Sequence, residues 1–399
     1  MKIALITGDL SNKGAGVKEV VEGLSSALAG HGHTVEVFGI ATPAWDAGDD
    51  KKWTGAKANA FRVMGPTSLG YVPDMAQRLR AFDPDVVHVH GIWQYPSYVA
   101  LKWHRATDRP LFSSPHGMLH PRALAQASLK KALVRRLYVD ALLRASSSVI
   151  AATSEEAAHC RDFGVAGAVV EFPNGVILPD TKNVQALDAP WSGALDAQDP
   201  VMLFLGRFHP TKNLDTLLDV WKDLHGAGHL QGWQLAIAGW GDDAAEANVR
   251  ARVDAFTAAG ARVAFIGPLF GAAKQAAFHH AAGFILPSLN ESFPITPLEA
   301  WGARRPTLLS TACNLDFAVS EGAAFEIGTT REALATDLQR FFALGRAEHG
   351  AMGQRAFDLV RRDFSWPVVA KMYEDAYEQP RARSRAAGSG SEHATEQNQ

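Results

Sequence analysis

Cysteine is nearly absent from this chain: only Cys160 and Cys313 occur in 399 residues, far apart in sequence. That excludes a disulfide framework. Neither residue sits in a Cys-x-x-Cys pair or beside a histidine-rich partner, so no zinc-binding pattern is present either. No window of about 20 apolar residues exists, which excludes a membrane-spanning helix from the expectation. The opening MKIALITGDL carries an apolar run too brief for a signal peptide and is ended by Gly8-Asp9. It reads as a first strand, and the expected location is the cytoplasm. An excess of basic charge is also lacking. The net charge of -3 provides no field for nucleic acid. What remains, at 47% hydrophobic and 20% charged residues, is an ordinary globular composition long enough for two or three domains.

Two halves share one grammar. The first opens with the strand Ile3–Thr7, a loop with Gly14 and Gly16, a helix from Val17 to Ala29, and the strand Thr34–Phe38. That is a β-α-β unit. The second opens with Val201–Leu205, passes through Gly206-Arg207, has a helix around Leu214–Leu224, and returns as Trp233–Ala238. Further near-continuous apolar strands are expected at 85–90, 111–114, 148–153, 169–172, 262–266, 283–287 and 307–310. Apolar strands alternating with helices indicate parallel sheets covered on both faces. The polar, proline-containing stretch at 180–200 suits a linker. The expected division is 1–183, a linker 184–199, 200–363, a helix over 364–379 and a disordered tail 380–399.

The stretch 286–314 holds two glutamates, Glu291 in a polar loop and Glu299 in Thr296-Pro297-Leu298-Glu299. Thr at the N-cap, Pro at the first helical position and Glu at the third are each favoured there. Glu299 therefore fits a capping box, or a carboxylate presented past a strand end where α/β sheets bind ligands. Arg207 and Lys212 beside a helix N-terminus would suit a phosphate, or would be solvated cations. Gly14, Gly16 and Gly239 fit tight turns or close approach of a ligand. His88 and His90 point to one strand face and read as structural. His116-Gly117 follows another strand.

PDVVHVHGIW (84–93), SPHGML (114–119), TSEE (153–156), FPNGV (172–176), GRFHPTKN (206–213), AGWG (238–241) and NESFPITPLEA (290–300) occur in this order. Over roughly residues 1–378 the chain resembles GT-B-fold retaining glycosyltransferases of family 4, especially bacterial enzymes of exopolysaccharide and lipopolysaccharide synthesis. The resemblance implies an α/β architecture of two Rossmann-like, doubly wound domains facing a central cleft. It implies that Arg207 and Lys212 neutralise the diphosphate of a nucleotide sugar, a UDP- or GDP-sugar, with no other cofactor. Glu299 would accept from the ribose hydroxyls, and Glu291 and His116 would lie near the donor sugar. Backbone at Gly14, Gly16, Gly239, Phe293 and Ile295 would approach the sugar and phosphates. The pattern is broken at Pro294 and at Arg304, each standing where the family often has glycine; Arg304 occupies the position of a left-handed helix cap.

No Asp-x-Asp motif sits at the expected strand end, so the resemblance implies metal-independent transfer. Asp242-Asp243 reads as a solvated helix start. The acceptor would be a glycan or a lipid-linked molecule. Arg122, Lys130, Lys131, Arg135, Arg136 and Arg144, with Leu129, Leu133 and Leu137 spaced by four, fit a peripheral contact with an anionic membrane, or a helix packed on its sheet with a solvated basic face. Alternatives are a nucleotide-sugar epimerase on the same fold, a non-catalytic nucleotide-sugar-binding module, and a periplasmic sugar-binding protein, the last disfavoured by the opening residues.

Overall fold

The computed structural model describes residues 1–10, 15–42, 45, 53, 55–179, 184–291 and 293–392. They form two compact units. Unit 1 comprises Met1–Gly175 together with the chain from Trp366 onward, and unit 2 is Val176–Ser365. The stretch expected as a linker lies inside unit 2, whose core takes in Trp191 and Leu195. The last helix, Trp366–Glu392, runs beyond the expected end at residue 379 and packs on the first helix of unit 1.

Unit 1 is a seven-stranded parallel sheet in the order β3-β2-β1-β4-β5-β6-β7. Its strands are β1 Lys2–Thr7, β2 Thr34–Ala41, β3 Lys57–Arg62, β4 Val86–His90, β5 Leu111–Ser114, β6 Ser148–Ala151 and β7 Val169–Glu171. Every residue of β4 and β5 is buried, as expected of strands covered on both faces. β3 was not anticipated, because its KANAFR pattern is half exposed at the sheet edge. Strand order reverses between β1 and β4, with Thr7 in register with His90.

Unit 2 repeats the plan in a six-stranded parallel sheet, β10-β9-β8-β11-β12-β13. Its strands are β8 Val201–Arg207, β9 Gln234–Trp240, β10 Val263–Gly267, β11 Gly283–Leu286, β12 Thr307–Leu309 and β13 Ala324–Glu326. The short β13 was not anticipated. Here the order reverses between β8 and β11, and in such sheets the crevice beyond the strand ends at that point binds ligands.

Three local expectations need correction. Gly16 is not in a loop but in the first turn of the Ala15–Gly30 helix; Gly14 lies outside the described residues. The basic region after His120 is not one helix. It breaks into Pro121–Ala125, Ser128–Val134, a π-type turn Arg135–Val139, and Asp140–Ala145. The helix carrying Glu299 begins at Ile295 with Pro294 as N-cap and no side-chain cap. Thr296 is therefore its second residue and Glu299 its fifth, so the capping box does not form. Pro297 is tolerated because its missing N–H would be unpaired in the first turn anyway. Arg304 does take the left-handed position at that helix's end, with φ +57°, and the Arg305 amide donates to the Ala300 carbonyl.

Candidate active site

In unit 2 the loops after β8 and β11 converge at the switch point. Lys212 ends a single 3-10 turn, Pro210–Lys212, started by His209 and closed by Asn213 in the left-handed conformation. The Asn213 side chain donates to the Thr329 carbonyl, which fixes that turn. Lys212 then reaches back over the end of β8, its Cε lying close to Gly206. Leu289 N–H donates to Thr211 O at 2.7 Å, tying the two loops together.

Glu291 is held at both ends. Its N–H donates to Ala312 O, and its own carbonyl accepts from Asn314 Nδ2 at 2.8 Å. Its Oε1 lies 2.5 Å from Lys212 Nζ and accepts from the buried Ser288 Oγ at 2.6 Å. The carboxylate is 12% exposed and the ammonium 20%. A pair this withdrawn from water requires such additional hydrogen bonds to offset desolvation. Glu299 makes a second pair, its Oε1 2.7 Å from Lys274 Nζ on the Gly271–His280 helix. Lys274 is not evident from sequence as a partner, since it lies 25 residues before Glu299 and on a different helix.

Arg207 is exposed at the last position of β8, in register with Trp240. Ile295 contributes an amide to the first turn of the Ile295–Gly302 helix, where N–H groups lack intrahelical partners. The Phe293 ring leans on Phe364 at 5.9 Å and on the unit 2 core. Gly239 is required by the backbone. Its φ is +147°, and a Cβ there would lie 1.9 Å from the Gly206 carbonyl oxygen. Asp242 caps the next helix by accepting from Ala245 N–H, as read from sequence.

Unit 1 holds a separate histidine cluster at the ends of β4 and β5. His88 is fully buried; its Nδ1 is 2.7 Å from the Tyr377 hydroxyl and its Nε2 2.8 Å from Ser114 Oγ. This bears out a structural role for His88, which ties the last helix to the sheet. His90 Nδ1 lies 2.9 Å from His116 Nε2, and the two rings stack. Its Nε2 is buried with no hydrogen-bond partner among the described residues. His116 has φ +52°, a strained value for a residue with a side chain. Glu156 secures that turn, accepting from Gly117 N–H at 2.6 Å and Ala152 N–H at 2.8 Å. Burial holds His88 and His90 well below 6.5, and neighbouring histidines push the same way. Burial also lowers His116, with the Glu156 carboxylate opposing it.

His90 also lines a cavity of about 360 Å³ with Thr7, Asp9, Thr42, Gln94 and Ser97, at the β1/β4 reversal. Both cysteines are buried, their thiols pushed up to about 12 chiefly by burial, so neither is a nucleophile near neutral pH. Among the described residues no helix is long and apolar enough to cross a membrane.

Comparison with known proteins agrees with this layout. Residues 15–175 match the glycosyl transferase 4-like domain and residues 199–343 the glycosyl transferases group 1 domain. A D-inositol 3-phosphate glycosyltransferase of a Nocardioides species is 26% identical, covering 96% of this chain and 90% of its own. Its counterpart in Segniliparus rotundus is 24% identical, covering 79% and 72%. Among solved structures, sucrose-phosphate synthase from Thermosynechococcus elongatus superposes with a TM-score of 0.75 at 21% identity, covering 96% of this chain and 100% of that one. Anabaena HepE, in complex with UDP and glucose, gives 0.73 at 17% identity, covering 95% and 99%. With each half of the chain matched by a glycosyltransferase domain, the protein is a glycosyltransferase of GT-B type.

Proposed function

We propose that the protein transfers a sugar, with retention, from a UDP- or GDP-sugar to a glycan or lipid-linked acceptor of cell-surface polysaccharide synthesis. The observation that carries this reading is the Lys212–Glu291 pair at the switch point of unit 2, where Arg207 ends β8 and the Ile295–Gly302 helix follows β11. Breaking the anomeric carbon–phosphate oxygen bond leaves negative charge on the diphosphate. Lys212, held in place by Glu291, would meet that charge together with Arg207 and the helix N-terminus, so this reading needs no metal at this step.

Glu299 would accept from the ribose hydroxyls, and Glu291 and His116 would meet the sugar. A neutral His116 can accept or donate a hydrogen bond there without adding charge. In a same-face reaction the acceptor hydroxyl forms the new bond to the anomeric carbon while its proton passes to the departing phosphate oxygen. The UDP-containing HepE complex, on the same fold, favours the UDP arm. The cavity lined by Asp9, Thr42 and Gln94 in unit 1 would take the acceptor.

Calorimetry with UDP-, GDP-, ADP- and dTDP-sugars, on the parent chain and on Arg207→Ala and Glu299→Ala, tests the donor site. Binding of one donor, weakened in both variants, supports it; no binding of any donor or free nucleotide overturns it. Turnover of the donor to its epimer without an acceptor would favour the epimerase instead.

A specific feature of unit 1 also favours a membrane contact. Leu129, Leu133 and Leu137 are 87%, 60% and 66% exposed, on a segment that also bears Lys130, Lys131 and Arg136. Apolar side chains in water amid cations suit an anionic lipid surface.

A further inference from the structure

Outside both sites, three metal-ligating side chains meet on unit 1. His120 ends the loop that follows β5. Glu155 and His159 lie four residues apart on the Ser154–Phe163 helix and so share one face. One ligand atom from each lies within 4.8 Å of the other two. The His120 and His159 rings meet edge to face with centroids 4.8 Å apart. All three are partly buried, so water is only partly excluded and an ion could enter.

We propose that His120, Glu155 and His159 form a binding site for a divalent transition metal, with zinc as the best fit. Two imidazoles and one carboxylate suit a borderline cation such as zinc and leave a fourth position for water. Bonds of about 2.1 Å would require the ligand atoms to close to roughly 3.4 Å in a tetrahedral site, which side-chain rotation at a partly open surface allows.

On His120 an existing hydrogen bond competes. His120 Nδ1 accepts from Arg122 N–H at 3.1 Å, which places the neutral ring's proton on Nε2. Ligation through Nε2 moves that proton to Nδ1 and gives up this cap on the Pro121–Ala125 helix. Loading should therefore disturb the Arg122 amide.

The site joins the loop of residues 115–120 to the Ser154–Phe163 helix. Glu156, the next residue on that helix, already holds Gly117 N–H. A metal at His120 would be a second clasp on the turn that carries His116, away from the transfer chemistry.

The test uses the full chain after chelation, titrated with Co²⁺ and followed by visible absorption, then displaced with Zn²⁺. The expected result is absorption saturating at one equivalent, lost in His159→Ala and weakened about tenfold or more in Glu155→Gln. It should be unchanged in His229→Ala, an exposed histidine in unit 2. An amide spectrum should show the Arg122 signal shifting on Zn²⁺ addition. Glu155→Gln preserves side-chain shape, so it remains informative if His159→Ala folds poorly. Absence of cobalt absorption in the parent, or absorption that survives His159→Ala with its circular dichroism intact, overturns the proposal.

Discussion

Lys212 Nζ and Glu291 Oε1 lie 2.5 Å apart although the residues are separated by 79 positions, and both are largely withdrawn from water. The pair orients the ammonium at the strand ends. Lys212→Ala would remove the cation proposed to face the diphosphate and leave the Glu291 carboxylate buried without its countercharge. Loss of about 10²–10³-fold in kcat/KM is expected, on the scale of removing one preorganised transition-state contact. Glu291→Gln keeps the shape and the Ser288 contact but not the charge, so it should lower kcat more than it weakens donor binding. Steady-state kinetics with calorimetry on both variants checks this; unchanged kcat/KM in Lys212→Ala would remove that residue from the site.

The histidine cluster makes stability depend on pH. His88 and His90 are held below 6.5 in the folded state by burial, so the unfolded chain binds more protons as pH falls. The stability they contribute is complete above about 6.5 and is lost as pH falls from there toward their folded values. Each such group costs up to about 1.4 kcal/mol per pH unit within that window. Urea midpoints between pH 8 and 5 should fall, and the slope should flatten in His88→Asn. A rise in stability toward pH 5 would contradict the assignment. Tyr377→Phe should separately cost about 1–3 kcal/mol by leaving His88 Nδ1 buried without a partner.

Much of this fold is legible in sequence because buried parallel strands are nearly continuous apolar runs. Ile3–Thr7 and Leu111–Ser114 could be placed from that signal alone. Lys57–Arg62 could not, since an edge strand with a half-exposed, mixed pattern resembles a loop. The start of the Glu299 helix is not legible locally, because Thr296, Pro297 and Glu299 satisfy an N-terminal rule while the backbone starts the helix two residues earlier, with Pro294 as N-cap and no side-chain cap. Glu291, Glu299, Arg207 and Lys212 could be picked out by residue type and place. Their partners could not: Lys274 and His90 reach Glu299 and His116 only through tertiary structure, and local spacing does not carry such pairs.

Gly239→Ala provides a test of the unit 2 strand ends. The added Cβ would meet the Gly206 carbonyl oxygen at 1.9 Å and Phe208 at 3.0 Å, and φ +147° is itself strained for alanine. Backbone has little room to yield, so destabilisation of about 3 kcal/mol or more is expected. Gly353→Ala should behave alike, since its Cβ would lie 2.2 Å from the Arg304 carbonyl oxygen. Thermal denaturation of both variants checks this. A parent-like Tm for Gly239→Ala would show that β8 and β9 separate easily there, leaving ligand approach as the reason for glycine.

The exposed leucines give the membrane reading its own test. Two effects would act together on an anionic bilayer. Leu129, Leu133 and Leu137 would each leave water, worth about 1.5–3 kcal/mol when fully buried, and the neighbouring lysines and arginine would gain about 1 kcal/mol each near the surface. Leu133→Asp with Leu137→Asp reverses the first effect and weakens the second, while disturbing little of the core because both side chains are already 60% or more exposed. The parent should sediment with vesicles containing phosphatidylglycerol and release as salt rises; the double variant should remain in the supernatant with its transfer rate on a water-soluble acceptor unchanged. Equal sedimentation of the two proteins would place the contact elsewhere, and a parent that never sediments at low salt would remove it.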